Sequence, residues 1–238
     1  MRLPEALQRG RFLGRLNRVR SDAPTLVLSD ENWLGSTPDA LAPEPYPRFE
    51  RILGGLRPLL SAAPVKVFLA IRSMDTFLPS AYAEMLRFHP DQPSLETLAA
   101  ARREAGGSWL GLIRRLRDFF PDAPLTVWRY EDYAGSPKTF MSAICGCDVG
   151  EPPKRTAPSA TRTPSAESVR AAESLKLRGL PLREYMAAAQ EALKPSASSE
   201  KFSPLSLDDK AFFRRRYEED VDALSRMEGV ELIQPAHA

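Results

Sequence analysis

Three short runs of apolar residues recur along the chain and predict buried β-strands. In the run at 65–71 apolar and polar residues do not alternate, which is typical of a strand that is covered on both faces. The runs occupy residues 25–29, 65–71 and 125–130. Helical patterns lie between them, and strands separated by helices pair in parallel through right-handed crossovers. The expected fold class is therefore α/β, with a parallel sheet flanked by helices.

Apolar residues at intervals of three or four positions predict the helices. An opening helix is expected within residues 1–24, and a closing helix over residues 206–227, where Ser206 and Asp209 have the spacing of a capping box. The four apolar stripes comprise Leu3, Leu7, Leu13 and Leu16; Phe49, Ile52, Leu53, Leu56 and Leu60; Trp109, Leu112, Ile113, Leu116 and Phe119; and Phe213, Tyr217, Val221 and Leu224. We expect the closing helix to complete a single domain that spans residues 1–238.

Two stretches that contain few large apolar residues predict long surface loops. Residues 148–168 are rich in Pro, Ser, Thr and Ala, and residues 193–206 have a similar composition. Such residues favour turns over packed elements. Loops of this length in a compact domain are often functional or mobile.

The segment "VKVFLAIRSMDTFLPSAY" predicts a strand, a short turn and a helix. Pro79 lacks an N–H and fits the first turn of a helix, which makes Thr76 the preferred N-cap and Asp75 the second choice. Arg72 then follows the carboxyl end of a strand, and Ser80 lies about one turn into the helix. Unpaired N–H groups and the helix dipole favour an anion at such a place, so the arrangement suits a phosphate.

The charge balance argues that any anion site is local. Lys and Arg total 33 against 31 Asp and Glu, so the chain has no general attraction to nucleic acid or to anionic lipid. It contains no apolar run long enough to span a membrane, and its first residues lack the apolar core of a secretory signal. We expect a cytoplasmic protein.

Cysteines and histidines offer little chemistry. Cys145 and Cys147 are too close for easy bridging and have no neighbours that would complete a metal site, so a buried free thiol is expected. His89 and His237 have no partner visible in the sequence. This argues against Ser/His hydrolase chemistry and against a metal cofactor.

An arginine followed eight positions later by a serine, at a strand-to-helix junction, resembles an element of the sulfotransferases that use 3'-phosphoadenosine 5'-phosphosulfate. In that family the pair binds the 3'-phosphate of the nucleotide. Three further stretches resemble bacterial members of the family, in the expected order: "TLVLSDENWLG" at 25–35, "LTVWRYEDYAGSP" at 125–137 and "RRRYEEDVDAL" at 214–224. Together they cover most of residues 25–225.

The resemblance implies a sheet like that of P-loop NTPases and a specific set of roles. Glu31 would deprotonate an acceptor hydroxyl, with Asp30 as the second candidate for this base. Arg72 and Ser80 would hold the 3'-phosphate. In the family a late basic loop also contacts this phosphate, and the comparable positions here are Lys154, Arg155 and Arg162. The co-substrate would be 3'-phosphoadenosine 5'-phosphosulfate, and the acceptor a hydroxyl compound, for which the family suggests a carbohydrate.

Each of these residues also has a plain structural interpretation. Glu31 would complement the dipole of a helix that starts at "SDE". Arg72 would form an ion pair with Asp75 or Glu131, and Ser80 would be a small helix residue. The loop cations would be solvated charges, while Glu131 with its neighbour would cap the helix after Gly135.

The chain departs from the family at its start. Sulfotransferases usually begin with a strand and a glycine-containing loop that binds the 5'-phosphosulfate, and "GRFLGRLNR" at 10–18 lacks the preceding strand, the Ser/Thr residues and the spacing. Either the sequence begins late, or the protein is a degenerate relative. Enzyme activity is therefore left open, and the rival hypotheses are a non-catalytic binding module on the same scaffold and an unrelated α/β interaction protein.

Overall fold

A parallel sheet of three strands organises the protein in a computed structural model that describes Gly14 and residues 25–55, 64–151, 164–194 and 202–234. The strands are β1 (Val67–Ile71), β2 (Leu125–Arg129) and β3 (Val230–Ile233), and β2 lies in the centre. Both pairings are parallel, with Leu69 opposite Val127 and Val127 opposite Leu232. The carboxyl ends of all three strands therefore meet at one edge.

Helices flank this sheet in the described residues, which confirms the α/β class. Two short helices precede β1: α1 (Thr37–Leu41) and α2 (Phe49–Gly54). Three lie between β1 and β2: α3 (Met74–Met85), α4 (Leu95–Glu104) and α5 (Leu110–Phe119). Five lie between β2 and β3: α6 (Tyr130–Tyr133), α7 (Pro137–Cys145), α8 (Ala166–Lys176), α9 (Leu182–Ala192) and α10 (Leu207–Ser225).

The closing helix forms as its sequence predicts. The hydroxyl oxygen of Ser206 accepts a hydrogen bond from the backbone N–H of Asp209 at 3.0 Å, as an N-cap residue does. The apolar stripe of α10 is buried against α3, α4 and β3, and Phe213 and Leu224 are fully buried. The helix thus connects the sheet to the helices that follow β1.

The strand predicted over residues 25–29 is wrong. These residues have no regular secondary structure, and Val27 and Leu28 are 45% and 43% exposed. A strand needs a neighbour that accepts its backbone hydrogen bonds. None of the described strands pairs with this run, so its apolar composition alone does not make it a strand.

The third strand of the described sheet is instead β3, which the apolar pattern does not predict. Its sequence "VELI" carries a glutamate and is only four residues long.

The boundaries of two other elements also differ from expectation. Helix α8 begins at Ala166, so the last residues of the loop predicted over 148–168 are helical. The predicted strand at 125–130 ends at Arg129, because Tyr130 starts α6.

Helix α3 starts earlier than the proline suggested. Its N-cap is Ser73, whose carbonyl accepts the N–H groups of Thr76 and Phe77 at 3.1 and 2.8 Å, and neither Thr76 nor Asp75 is the cap. Pro79 therefore lies in the second turn, where it removes the bond that its N–H would make to the carbonyl of Asp75. The helix tolerates this single missing bond.

The two faces of the sheet differ in burial. On one face Ile71 and Val127 are fully buried within the main hydrophobic cluster, which extends from Leu41 to Leu224. On the other face Phe68 and Trp128 are half-buried and Ala70 is exposed, although β1 was expected to be buried on both faces. Helix α7 packs on this second face through its buried Phe140, whose ring centre lies 5.8 Å from that of Trp128.

Several predicted features lie outside the described residues. These are the opening helix over residues 1–24, apart from Gly14, and the positions Leu56, Leu60 and His237. Within the described part of the chain, no helix combines the length and the apolar character needed to cross a membrane.

Candidate functional site

The junction between β1 and α3, residues 72–80, is held in place through its backbone. The carbonyl oxygen of Arg72 accepts a hydrogen bond from the indole Nε1 of Trp109 at 2.8 Å. The next residue, Ser73, donates its N–H to Oε1 of Glu131 at 3.0 Å. The main chain that leaves the strand is therefore fixed from α5 and from α6, and the side chain of Arg72 starts from a rigid base.

The guanidinium of Arg72 is oriented by two neighbours. Its Nε donates to the hydroxyl of Thr76 at 3.0 Å, and that hydroxyl donates in turn to the carbonyl of Ser73 at 3.1 Å. Its Cζ lies 4.9 Å from the centre of the Tyr130 ring, which is within cation–π range. Because only Nε is engaged in these hydrogen bonds, the two terminal nitrogens can donate to an oxyanion.

Thr76 and Ser80 form a row on one side of α3, and Arg72, which precedes the helix, reaches this row through its hydrogen bond to Thr76. Side chains four positions apart on a helix are neighbours, with Cβ atoms about 5–6 Å apart, so Ser80 lies one turn beyond Thr76. Ser80 is half-buried. A phosphate placed beyond Thr76 could accept hydrogen bonds from both Arg72 and Ser80. This row is the geometric core of the candidate site.

The ion pairs considered for Arg72 are wrong, because both carboxylates are engaged elsewhere. Asp75 accepts from Arg214 Nε and from the Ser73 hydroxyl, each at 2.7 Å. The second oxygen of Glu131 accepts from the phenol of Tyr217 at 2.8 Å. Glu131 also does not cap the helix after Gly135, which is α7. Among the described residues, Arg72 has no carboxylate partner.

Glu131 itself lies at the amino end of α3, where an anion was expected. A carboxylate is favourable there for the same reason as a phosphate, since it meets an unpaired N–H and the positive end of the helix dipole. The N–H of Ser73 is therefore already hydrogen-bonded to a side chain of the protein. Any phosphate at this site depends on the side chains of Arg72 and Ser80 rather than on the N–H of Ser73.

Helix α10 supports the site through two buried groups. Burial, together with the nearby Glu131, raises the pKa of the Tyr217 phenol above its usual range, so the phenol stays protonated and donates its hydrogen bond. Asp220 is fully buried and accepts from the Ser108 hydroxyl and from the Trp109 N–H, both at 2.7 Å, while burial raises its pKa. Asp220 thus fixes the position of Trp109, whose indole N–H binds the carbonyl of Arg72.

The two candidate bases lie in an exposed turn. The side chain of Asp30 accepts the N–H of Asn32 at 2.7 Å, and Glu31 is exposed. No helix starts at "SDE": α1 begins at Thr37 with Ser36 as its N-cap, so the dipole role considered for Glu31 is wrong. Glu31 as a general base stays a prediction.

Other predicted chemistry falls outside the site. Lys154, Arg155 and Arg162 lie outside the described residues. The two thiols were expected to be buried, yet Cys147 is exposed and Cys145 half-buried. In the described ranges, His, Cys, Asp and Glu residues form no group of three that could hold a metal ion.

Two residues of the site were not identified from the sequence. Thr76 orients Arg72, and its signal is the spacing of four residues between them. Tyr130 contacts Arg72 because it directly follows β2, and the carboxyl ends of parallel strands lie at the same edge of the sheet.

The chain was compared with family models, with curated proteins and with solved structures, and none of these comparisons found a match.

Proposed function

We propose that the protein is sulfotransferase-like and that the junction between β1 and α3 binds the 3'-phosphate of 3'-phosphoadenosine 5'-phosphosulfate. One observation carries the proposal: the guanidinium of Arg72 is hydrogen-bonded to Thr76, which lies one helical turn from Ser80 on α3, and Arg72 has no carboxylate partner among the described residues. An arginine that is oriented but not neutralised is suited to a bound oxyanion.

The proposed reaction moves a sulfuryl group from this nucleotide to a hydroxyl, for which the family suggests a carbohydrate. The acceptor oxygen attacks sulfur, and the bond between sulfur and the bridging oxygen of the 5'-phosphate breaks. The leaving group is 3'-phosphoadenosine 5'-phosphate. The hydroxyl proton passes to the carboxylate of Glu31, which acts as general base.

The residues assigned to the two ends of the nucleotide differ in support. Arg72 and Ser80 fit a 3'-phosphate, because a guanidinium offers paired N–H donors and the hydroxyl adds a neutral donor. The described residues present no comparable set of donors for the 5'-phosphosulfate. A non-catalytic protein that binds a 3'-phosphonucleotide on the same scaffold is therefore the second candidate function.

Calorimetric titration with 3'-phosphoadenosine 5'-phosphate tests the binding step. Arg72→Ala is expected to weaken binding about ten- to hundredfold, since a charge-assisted hydrogen-bond pair is lost, and Ser80→Ala about three- to tenfold. Arg114→Ala, which removes an exposed arginine of α5, is the matched control and should bind like the wild type.

The ligand supplies a second control. Adenosine 5'-phosphate lacks the 3'-phosphate, so it should bind the wild type about as weakly as the full nucleotide binds Arg72→Ala, and it should not distinguish the two proteins. Absence of binding, or binding that ignores both Arg72 and the 3'-phosphate, would contradict the proposal.

Transfer is tested separately with radiolabelled donor and a carbohydrate acceptor. Donor-dependent labelling that is lost in Glu31→Gln, with nucleotide binding retained, identifies the enzyme. Nucleotide binding without labelling favours the non-catalytic module.

A further inference from the structure

Helix α6 presents two tyrosines at the carboxyl edge of the sheet. None of its four residues is buried, and Tyr130 and Tyr133 are 52% and 38% exposed. The ring of Tyr133 packs against Phe140, with 6.0 Å between the ring centres. The ring of Tyr130 instead lies beside the guanidinium of Arg72. Tyr130 is therefore the more accessible of the two rings, and it is the one next to the proposed phosphate site.

Arg72 leaves much of the Tyr130 ring uncovered. Its Cζ lies over the ring, 4.9 Å from the ring centre. A guanidinium in this position contacts one face of the ring. Since more than half of Tyr130 is exposed in spite of this contact, ring surface remains accessible to a second planar group. Such a group can stack on Tyr130 while Arg72 stays in place.

Both neighbours of Tyr130 along the chain are held by other elements. Glu131 accepts hydrogen bonds from the N–H of Ser73 and from the phenol of Tyr217, at 3.0 and 2.8 Å. The guanidinium of Arg129 lies over the Tyr217 ring, with Cζ 5.4 Å from the ring centre. The backbone that carries Tyr130 is thus fixed on both sides. A ligand that stacks on this ring loses less free energy to the ordering of the site.

The contact with Arg72 identifies the part of the nucleotide that reaches Tyr130. In the proposed function Arg72 holds the 3'-phosphate, and the base is attached to the same ribose. Fewer bonds separate the 3'-phosphate from the base than from the sulfur that reacts with the acceptor. A ring beside Arg72 is therefore placed for the base rather than for the acceptor. Aromatic side chains bind bases by stacking, because every base has a π-face.

We propose that Tyr130 binds the base of the nucleotide by stacking, while Arg72 holds the 3'-phosphate of the same molecule. This inference rests on the proposed function, which assigns no residue to the base. A 3'-phosphonucleotide carries an oxyanion and a planar ring on one sugar, and Arg72 and Tyr130 present the two matching groups side by side. The pair thus distinguishes a nucleotide from inorganic phosphate.

Two ligands separate a contact with the base from an effect on the phosphate. 3'-Phosphoadenosine 5'-phosphate carries both groups, whereas 1-deoxyribofuranose 3,5-bisphosphate lacks only the base. Both are titrated by calorimetry into the full chain and into Tyr130→Leu, which removes the aromatic ring and keeps an apolar side chain. A stacked base contributes roughly five- to hundredfold in affinity. On the wild type the abasic ligand should therefore bind at least fivefold more weakly than the nucleotide.

The variants give the complementary comparison. The loss of affinity in Tyr130→Leu should be at least fivefold larger for the nucleotide than for the abasic ligand, and Tyr130→Phe, which keeps the ring, should bind both like the wild type. Phe88→Leu is the matched control, because it changes a 39% exposed aromatic residue beyond the far end of α3, and it should also bind like the wild type.

The proton NMR spectrum of the ligand reports stacking directly. The adenine H2 and H8 resonances should move upfield on binding to the wild type and to Tyr130→Phe, because a stacked aromatic ring shields them. This upfield shift should be lost or much smaller on binding to Tyr130→Leu. A residue that only orients Arg72 would not shield the base.

The outcomes distinguish this inference from the proposed function. Equal losses for the two ligands in Tyr130→Leu would overturn the inference, because Tyr130 would then act only through its contact with Arg72. Arg72-dependent binding that is equal for both ligands on the wild type would also overturn it, would leave the proposed phosphate site intact, and needs no Tyr130 variant to fold. Absence of binding by both ligands, or binding that ignores Arg72, would overturn the proposed function and this inference with it.

Discussion

Asp39 shows how a single buried carboxylate organises the chain before β1. Its two oxygens accept from Arg48 Nε and Nη2 at 2.6 and 2.8 Å, and also from the backbone N–H and hydroxyl of Ser36. The Arg48 hydrogen bonds, as the largest cause, hold the pKa of Asp39 down at about 2. Gly35 has a φ of +147°, and a Cβ there would lie 2.8 Å from Asp39 atoms, so glycine is required beside this carboxylate.

Replacing this carboxylate is expected to cost stability in a defined pH range. Because the folded-state pKa lies below the ordinary value of 3.8, the contribution of Asp39 is present above about pH 4 and is lost as the pH falls toward 2. Asp39→Asn should lower the free energy of unfolding by roughly 1–2 kcal/mol at pH 7, a figure reduced for the solvent exposure of Arg48. Urea denaturation at pH 7, 4 and 2.5 measures this.

The control for this prediction is Glu44→Gln, which alters an exposed carboxylate five residues further on. It should change the free energy of unfolding by less than about 0.5 kcal/mol at every pH. A gap between Asp39→Asn and the wild type that stays constant from pH 7 to pH 2.5 would contradict the assigned role.

Buried polar residues are the part of the molecule that the apolar pattern could not reveal. Arg102 is fully buried, donates to the carbonyl of Ala40 at 2.6 Å, and has its pKa lowered to about 10 by burial. Asp220 and Gln92 are buried in the same unexpected way. Periodicity finds the faces of helices through their apolar members, whereas a buried charge is identified only by the partners that the tertiary fold supplies.

The phenol of Tyr217 is one of the groups that join helix α10 to the carboxyl edge of the sheet. The hydroxyl of Tyr217 donates to Glu131 and also lies 3.3 Å from the carbonyl oxygen of Ile71. The guanidinium of Arg129 stacks over its ring, with Cζ 5.4 Å from the centroid. The helix, β1 and α6 therefore meet at this side chain.

A double-mutant cycle tests this connection. Tyr217→Phe and Glu131→Ala should show a coupling energy of about 1–2 kcal/mol, because a hydrogen bond to a charged acceptor is lost in each. The coupling energy is obtained from the free energies of unfolding of four proteins: the wild type, the two single variants and the double variant.

A second cycle serves as the control and uses Tyr133 in place of Tyr217 as the partner of Glu131. Tyr133 lies on α6 and is 38% exposed. Tyr133→Phe with Glu131→Ala should give a coupling near zero. Comparable coupling in the two cycles would mean that Glu131 acts on the phenols indirectly, and the proposed connection would fail.

The elements differ in how well the sequence predicts them. β1, β2, α5 and α10 are predicted because each combines a long apolar stripe or run with a clear boundary residue, as Ser206 shows. The run at 25–29 is equally apolar but pairs with no described strand, and β3 is weakly apolar but is paired by β2. Strand formation is decided by the neighbour, which a local pattern does not contain.

The candidate site shows the same division. Arg72 and Ser80 were predicted from their spacing at a strand-to-helix junction, and their binding of a phosphate stays a prediction. The engagement of Glu131 with Ser73 could not be foreseen, because it joins residues 58 positions apart along the chain. Fixed spacings are visible in a sequence, and long-range partners are not.

The sheet as a whole has one well-covered and one partly open face, and adjacent residues of β1 test this. Ile71 is fully buried, so Ile71→Ala should lower the free energy of unfolding by about 3–4 kcal/mol. Ala70 points to the other face and is exposed, so Ala70→Lys should change it by less than about 0.5 kcal/mol. Chemical denaturation measures both.

This description of the sheet requires a large loss of stability in Ile71→Ala and a small change in Ala70→Lys. A large loss in Ala70→Lys would show that the second face is covered as tightly as the first. A small loss in Ile71→Ala would show that the main hydrophobic cluster does not depend on β1.

The position of β3 has a consequence for biosynthesis. The central strand, β2, obtains its second neighbour only from residues 230–233, about a hundred positions after it has been synthesised. While the ribosome adds those residues, one side of β2 displays unsatisfied backbone groups, a state that invites association with other nascent chains. Completion of the sheet is therefore a late event, because it requires residues 230–233 to have left the ribosomal tunnel.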